Sequence, residues 1–580
     1  MYDLVIRAGS VVDGTGVPAV TADVGIRDGR IVEIGRISSA TRRTIDADGL
    51  LVTPGFVDIH THYDGQATWD PYLTPSCWHG VTTAIMGNCG VGFAPVRPAG
   101  HQALVELMEG VEDIPGSALA EGIRWNWESF PEYLDALDSM PRVMDIGCHV
   151  PHAALRAYVM GERALANATG QDIEALCSLL RASLEAGAVG FSTGRTVGHR
   201  DSRGNAVPGT FAAEDELAAL LAVMDDLGRG VFQVVPAGVG GEMTGDAAGA
   251  MEAELDWLVR RGEASRRPLT FLVMERAEIN HWRPWFEAVR AANARGANLR
   301  PQVGNRCFGV LMGHQSRLNP FQYRASYRAL AHLPLPERVA RLRDPQVRAA
   351  ILADAPDYSG PFAMDQLGRR GFDNLYPLGN DLNYEPRRED SVRALAQRQG
   401  IDPWELAYDL MLEDGGREFL LLPLLNYGEG SYDGLLDMMR DPSTVHGLGD
   451  GGAHVGLICD ASMTTYMLCH WARDRSRGAR LSVEHAVRRL TADPAELYGL
   501  ADRGVIAVGK KADLNLIEFG ALRLRRPEQV YDLPTGAGRL IQRADGYVAT
   551  IVSGMPTLEN GAFTDALPGR LLRGASGPGR

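Results

Sequence analysis

Between about Thr53 and Leu497, eight short apolar runs alternate with stretches of helical periodicity, which is the order of elements that βα units around a parallel sheet require. The runs are Gly55 to His62, Thr82 to Gly87, Val143 to His149, Ala188 to Ser192, Val231 to Val235, Leu269 to Met274, Leu299 to Val303 and Val445 to Gly449. Gln171 to Ala186 and Ala213 to Leu227 carry apolar residues at spacings of three and four and read as helices between them. Eight such units predict a closed (β/α)8 TIM-like barrel, whose reactive groups belong at the C-terminal ends of the strands. The interval 304–444 is too long for a simple connection and reads as a helical insertion that covers the barrel mouth.

The two ends of the chain have another texture. Leu4 to Ile6, Asp23 to Ile26, Ile31 to Ile34 and Arg43 to Ile45 are short β-rich runs, with turn pairs at Asp13-Gly14 and Asp28-Gly29. Gly504 to Ala507, Asp513 to Ile517 and Ala549 to Val552 repeat the pattern near the other end. Neither set is large enough to stand alone, so residues 1–53 and 498–560 are expected to pair into one small β-sandwich flanking the barrel of residues 54–497. Residues 561–580 form a tail, and its Gly- and Arg-rich stretch from Leu567 to Arg580 is expected to be disordered.

Composition narrows the partners. A net charge of -15 argues against a nucleic-acid surface, which needs clustered cations, and leaves a small-molecule substrate as the expected partner. The seven cysteines lack paired spacing, so a reducing, cytoplasmic setting is expected. No uncharged stretch approaches the ~20 apolar residues that span a bilayer, and Met1 to Ile6 carries no targeting signal. No membrane partner is expected, and a homo-oligomer stays open. Lys510 and Lys511 are the only lysines.

The first barrel strand ends in His60, Thr61, His62. Residues i and i+2 of a strand share a face, so both imidazoles can reach one metal ion. Taken alone, the pair is equally well two ordinary histidines; its place at the end of strand one favours the metal. Asp450, in the glycine-rich Gly449 to His454 segment after strand eight, can ligate a metal and take a proton from water. An Asp in a glycine-rich turn would be unremarkable elsewhere in the chain.

Together the N-terminal β-unit flowing into Pro54 to His62, the Asn88-Cys89-Gly90 loop, Asp450, and the closing run from Leu490 and Thr491 through Gly504, Gly509, Ala512, Asp513 and Leu514 resemble the amidohydrolase superfamily, and within it the D-aminoacylase branch. The resemblance spans the barrel and both terminal β-segments. It implies a divalent ion, usually zinc, held by His60, His62 and Asp450, that activates water against a C–N bond. It also puts Cys89 where the branch has a metal-ligating cysteine; a buried structural thiol is the other reading of that residue. The family's histidines at the ends of strands five and six have no counterpart in Phe232 to Pro236 or Phe271 to Glu275, and no lysine lies in the barrel to bridge two metals. One ion is therefore expected.

Further polar residues follow the strands. His149 and His152 flank the end of strand three, Arg195 and His199 follow strand four, Asn305 and Arg306 follow strand seven, and His454 lies one turn beyond Asp450. His149, Arg195, His199, Arg306, His454 and Tyr63 are candidate substrate contacts, each also readable as a structural side chain. The leading function is hydrolysis of an N-acyl amino acid or related acylated small molecule with Asp450 as the proton-transfer group. The second is a cyclodehydration or other non-hydrolytic step at the same site, and the third an inactive scaffold, against which His60, His62 and Asp450 argue.

Overall fold

The computed structural model describes residues 1–239, 247–276, 282–358 and 371–574. All eight predicted runs enter one eight-stranded sheet in sequence order: Phe56–Asp58, Val81–Met86, Asp145–Pro151, Gly190–Gly194, Val231–Val235, Leu269–Leu272, Leu299–Val303 and Val445–His446. Every adjacent pair is parallel. The first and last strands, at opposite ends of that order, meet through a parallel bridge between Thr61 and Gly451, as a TIM-like barrel requires.

The helices between strands have local reasons to start and stop. Gly170–Ala186 begins at Thr169, whose hydroxyl accepts from Asp172 N while the Asp172 carboxylate accepts from Thr169 N, and it ends at Gly187. Glu214–Leu227 carries Glu214, Asp215 and Glu216 in its first turn, where the helix dipole favours negative charge, and stops at Gly228 in the left-handed region. Their apolar stripes pack into the main core between sheet and helices.

The predicted first and eighth strands are longer than those observed. Beyond Asp58 the regular ladder with the second strand ends, and Thr61 N still donates to Ile85 O at 3.1 Å while His60 and His62 bond to the strand-eight segment. After His446 the left-handed Leu448 (φ 68°) and Asp450 (φ 46°) break the extended run. The insertion is not purely helical. Phe308–Met312, Leu420–Leu425 and Tyr376–Pro377 form a three-stranded antiparallel sheet, and with helices such as Pro403–Met411 they enclose a separate apolar core around Val310, Leu342, Tyr408 and Leu420. Residues 359–370 of the insertion lie outside the described residues.

Strands of the two chain ends are hydrogen-bonded into one continuous nine-stranded sheet, which is the form in which the expected sandwich segments are found. Leu51–Pro54 joins the halves, pairing parallel with Tyr2–Val11 and antiparallel with Leu514–Ile517. Leu4, Ile6, Val24 and Ile26 from one end share a core with Leu514, Leu516 and Ile551 from the other. The tail corrects the sequence reading. Residues 567–574 are ordered along the third barrel strand: Ile146 N donates to Arg570 O at 3.0 Å, Leu572 N to Ile146 O at 2.7 Å and Gly574 N to Gly187 O at 2.8 Å. Free edge groups of strand and tail satisfy one another, which sequence periodicity cannot show. Residues 575–580 lie outside the described residues.

Removing residues 1–50 should strip the partner strands from Leu51–Pro54 and uncover the apolar face of Leu514, Leu516 and Ile551, driving the remainder into aggregates. Size-exclusion chromatography of the truncated chain checks this; a monodisperse, active barrel would refute it.

Candidate metal centre

The seam that closes the barrel also assembles the centre. Asp450 N donates to His60 O at 3.0 Å and His62 N to Gly451 O at 2.8 Å, so the strand bearing the two histidines lies directly beside the Asp450 segment. That approach depends on missing side chains: a Cβ on Gly449 would lie 2.2 Å from Asp58 Oδ2, and one on Gly451 2.5 Å from Ser76 Oγ. Cys89 enters from the loop after strand two with φ 58°, and its N–H donates to Gln233 Oε1 at 3.1 Å.

Four donor groups converge there. Cys89 Sγ lies 3.3 Å from His60 Nε2 and 3.8 Å from His62 Nε2, and Asp450 Oδ1 lies 3.5 Å and 3.8 Å from the same two nitrogens. Bonds of ~2.0–2.3 Å to a tetrahedral zinc imply ligand-to-ligand edges of roughly 3.3–3.8 Å, which is the range in which Cys89 and Asp450 each approach the two imidazole nitrogens. Among the described residues His60, His62 and Cys89 are the one trio of metal-binding side chains whose donor atoms cluster in this way.

Electrostatics prepares the donors. Burial holds the His60 imidazole down at about 4, despite its hydrogen bond to Gln302 that opposes the shift, and holds His62 well below its usual range. Both rings are therefore neutral near pH 7. His60 Nδ1 lies 2.9 Å from Gln302 Oε1; the amide oxygen can only accept, so Nδ1 carries the proton and the Nε2 lone pair faces the cluster. His62 Nδ1 lies 3.4 Å from Glu112 Oε1, a close approach without hydrogen-bond geometry. Burial pushes the Cys89 thiol and the Asp450 carboxyl well up, Asp450 with help from Asp460 and Asp58. A divalent cation would favour the charged form of each.

The other sequence candidates divide. His454 belongs to the centre's surroundings: its Nε2 is 3.6 Å from Glu112 Oε2, and its N–H donates to Glu112 O. His199 is near enough to lower the affinity of His60, His62 and His454 for protons. The remaining four have structural duties. Arg195 is held by Glu254 at 2.8 Å and lies over Trp257. Arg306 is fully buried, paired with Asp460 at 2.8 Å and covered by Tyr384. The Tyr63 hydroxyl donates to Ser76 Oγ and accepts from Ser76 N, bracing the turn beneath Gly451. His149 is buried against the Tyr498 hydroxyl, 2.9 Å from its Nε2. His152 likewise serves Glu216 and Thr193. In each case a buried polar group is satisfied by a partner on another element of the fold.

Sequence reasoning missed Glu112, Gln302 and Gln233. Glu112 closes the helix His101–Glu112 on the stripe of Leu104 and Met108, where a carboxylate on an apolar face was the available signal. Gln302 and Gln233 sit fully buried in strands seven and five, polar residues inside β-rich runs. Asp450 also lines a small cavity with His79, Asp460 and Ser462, giving the centre a polar recess beyond its ligands.

Zinc binding to the apoprotein at pH 7 should release protons, because Cys89 holds its proton well above that pH until a cation displaces it. Calorimetry in buffers of different ionisation enthalpy measures the number released. It should fall by about one in Cys89→Ala; an unchanged number would remove Cys89 from the ligand set.

A family model described as "Amidohydrolase family" matches residues 43–557. N-acyl-D-glutamate deacylase of Alcaligenes xylosoxydans xylosoxydans is 29% identical over 573 residues, covering 98% of this chain and 96% of that one. Among solved structures, D-aminoacylase, described with a binuclear metal center, superposes with a TM-score of 0.65 at 22% identity, covering 99% of this chain and 100% of that one. N-acyl-D-glutamate deacylase from Bordetella bronchiseptica, complexed with zinc and a phosphonate inhibitor, gives 0.65 at 23% identity and 99% of both chains. Among the described residues no helix is long and apolar enough to cross a membrane.

Proposed function

Because this chain belongs to the amidohydrolase family, we propose that it hydrolyses the amide bond of an N-acyl amino acid or a related acylated small molecule, using one divalent ion, zinc, held by His60, His62, Asp450 and Cys89. The carrying observation is the cluster of His60, His62 and Cys89 donors on the closing seam of the barrel, with Asp450 Oδ1 3.5 Å and 3.8 Å from the two imidazole nitrogens. The deacylase relatives support the substrate class, and the zinc of the Bordetella bronchiseptica enzyme supports the metal. A single ion is favoured because the strand-five position carries Gln233, whose carbonyl oxygen is engaged by Cys89 N, and because the barrel has no lysine.

When bound, the ion supplies Lewis acidity toward water and the scissile carbonyl. The protein supplies position and proton transfer. Asp450, in its ionised form, accepts the proton of water as the water oxygen attacks the carbonyl carbon, then returns it to the nitrogen as the C–N bond breaks, so one group serves both steps. Its backbone is tied to the first strand by the hydrogen bond to His60 O, and the flanking glycines allow the close approach of the two segments. Gln302 holds the His60 imidazole by the nitrogen that faces away from the cluster, and Glu112 lies 3.4 Å from the corresponding nitrogen of His62. His454 and His199, at the edge of the centre, are the side chains best placed to touch substrate.

Incubating the zinc-loaded enzyme with N-acetyl D- and L-amino acids and measuring freed amine tests the substrate class; no release from either series would overturn it. In Asp450→Asn, which keeps an oxygen donor but loses the base, turnover should fall by ~10² to 10⁴ while metal content changes far less. Near wild-type turnover would leave the reaction without its base.

A further inference from the structure

The N-terminal face of the barrel, at the opposite ends of the strands from the metal centre, carries an open concavity of about 940 Å³. Its walls are the segments before strands five, six and seven, the turn at Asp28 to Arg30 of the terminal sheet, the 496–503 segment and the docked tail. Eight cationic side chains line it against four carboxylates, in a chain whose net charge is -15. Part of this charge is internally matched. Asp145 is paired with Arg503 at 2.6 Å and Lys511 at 2.9 Å, Asp502 with Arg503 at 2.9 Å, and Arg573 with Asp135 at 2.7 Å.

Arg229, Arg266, Arg267 and Arg570 are different: among the described residues none of the four has a carboxylate within ion-pair distance. Arg267 Nε is buried without a hydrogen-bond partner, an expensive state for a guanidinium N–H. The backbone carrying them is clamped. Arg266 N donates to Asp225 Oδ1 at 2.8 Å and Arg267 N to Ser265 Oγ at 3.0 Å, while Arg570 N donates to Asp145 Oδ1 at 2.8 Å. Unmatched guanidinium groups on fixed backbone around a concave space are what planar, bidentate recognition of phosphate oxygens needs. The cavity also falls within the roughly 300–1,000 Å³ range of small-molecule sites.

We propose that this face is an anion site for a small molecule bearing more than one phosphate, separate from the hydrolytic centre. Because its walls come from the barrel, the terminal sheet and the tail, a bound anion would tie these parts together. It would act on stability and tail docking instead of on the chemical step.

Inorganic pyrophosphate titrated into the zinc-loaded, full-length enzyme at low ionic strength should bind with 1:1 stoichiometry and raise the melting temperature. Removing two guanidinium contacts in Arg229→Ala/Arg267→Ala should weaken binding at least ~10-fold, the scale of one or two charge-assisted hydrogen bonds, while deacylation by the variant is unchanged. Arg570→Ala, an exposed position, gives an independent variant if the double substitution folds poorly. Absence of binding to the wild-type enzyme would overturn the proposal. So would an equal thermal shift from sodium chloride at matched ionic strength, or binding of an oligoglutamate peptide in preference to pyrophosphate. None of these outcomes bears on the amidohydrolase reading, which rests on the opposite face.

Discussion

The pairing of the His60–His62 backbone with Asp450 and Gly451 is the contact on which both fold and site depend. It joins the first strand to the last, and the same hydrogen bonds set the two imidazoles and the carboxylate around one point. The seam is narrow enough that Gly449 and Gly451 leave no room for a side chain, and Asp450 accepts a left-handed backbone that only its surroundings can impose. Architecture and metal ligation cannot be varied independently here: a change that loosens the seam moves the donors with it.

Burial then dictates the chemistry of the centre. His60, His62, Cys89 and Asp450 are all taken out of water, and the immediate effect is to keep the imidazoles neutral and the acids protonated. A cation reverses the balance for the acids while needing the imidazoles as they are. Gln302 fixes which nitrogen of the His60 ring points inward, and Glu112 packs beside His62. Neighbouring Asp58 and Asp64, pushed up to about 7 by burial, show how strongly this part of the barrel resists uncompensated negative charge.

Charged residues elsewhere around the strand ends follow the same rule with a different outcome. Arg306 and Asp460 are buried together, as are Arg156 and Glu216, because an unpaired charge at those depths would be costly and each partner cancels the other. Such pairs stiffen the barrel walls. At the far face Arg229, Arg266, Arg267 and Arg570 line a cavity without such partners among the described residues.

The eight strands, the His-x-His pair and the aspartate after strand eight were legible because periodicity and spacing are local properties: alternation sets the strand, and i, i+2 sets the shared face. The terminal β-segments were legible for the same reason, and so was their need for each other, since neither carries enough apolar surface alone. What lay beyond reach was every feature decided by a partner that only the fold brings near. Nothing near Arg195 announces Glu254, nothing near Tyr63 announces Ser76 as the claimant of its hydroxyl, and nothing in 567–574 reveals the open strand beside Ile146. Glu112 enters the centre only because the fold lays its helix against His62 and His454. The sequence by itself determined which residue types could ligate a metal and on which strands they stand; tertiary structure alone decided which polar groups remain free for chemistry, because hydrogen-bond and charge satisfaction in a buried site is settled by packing in space.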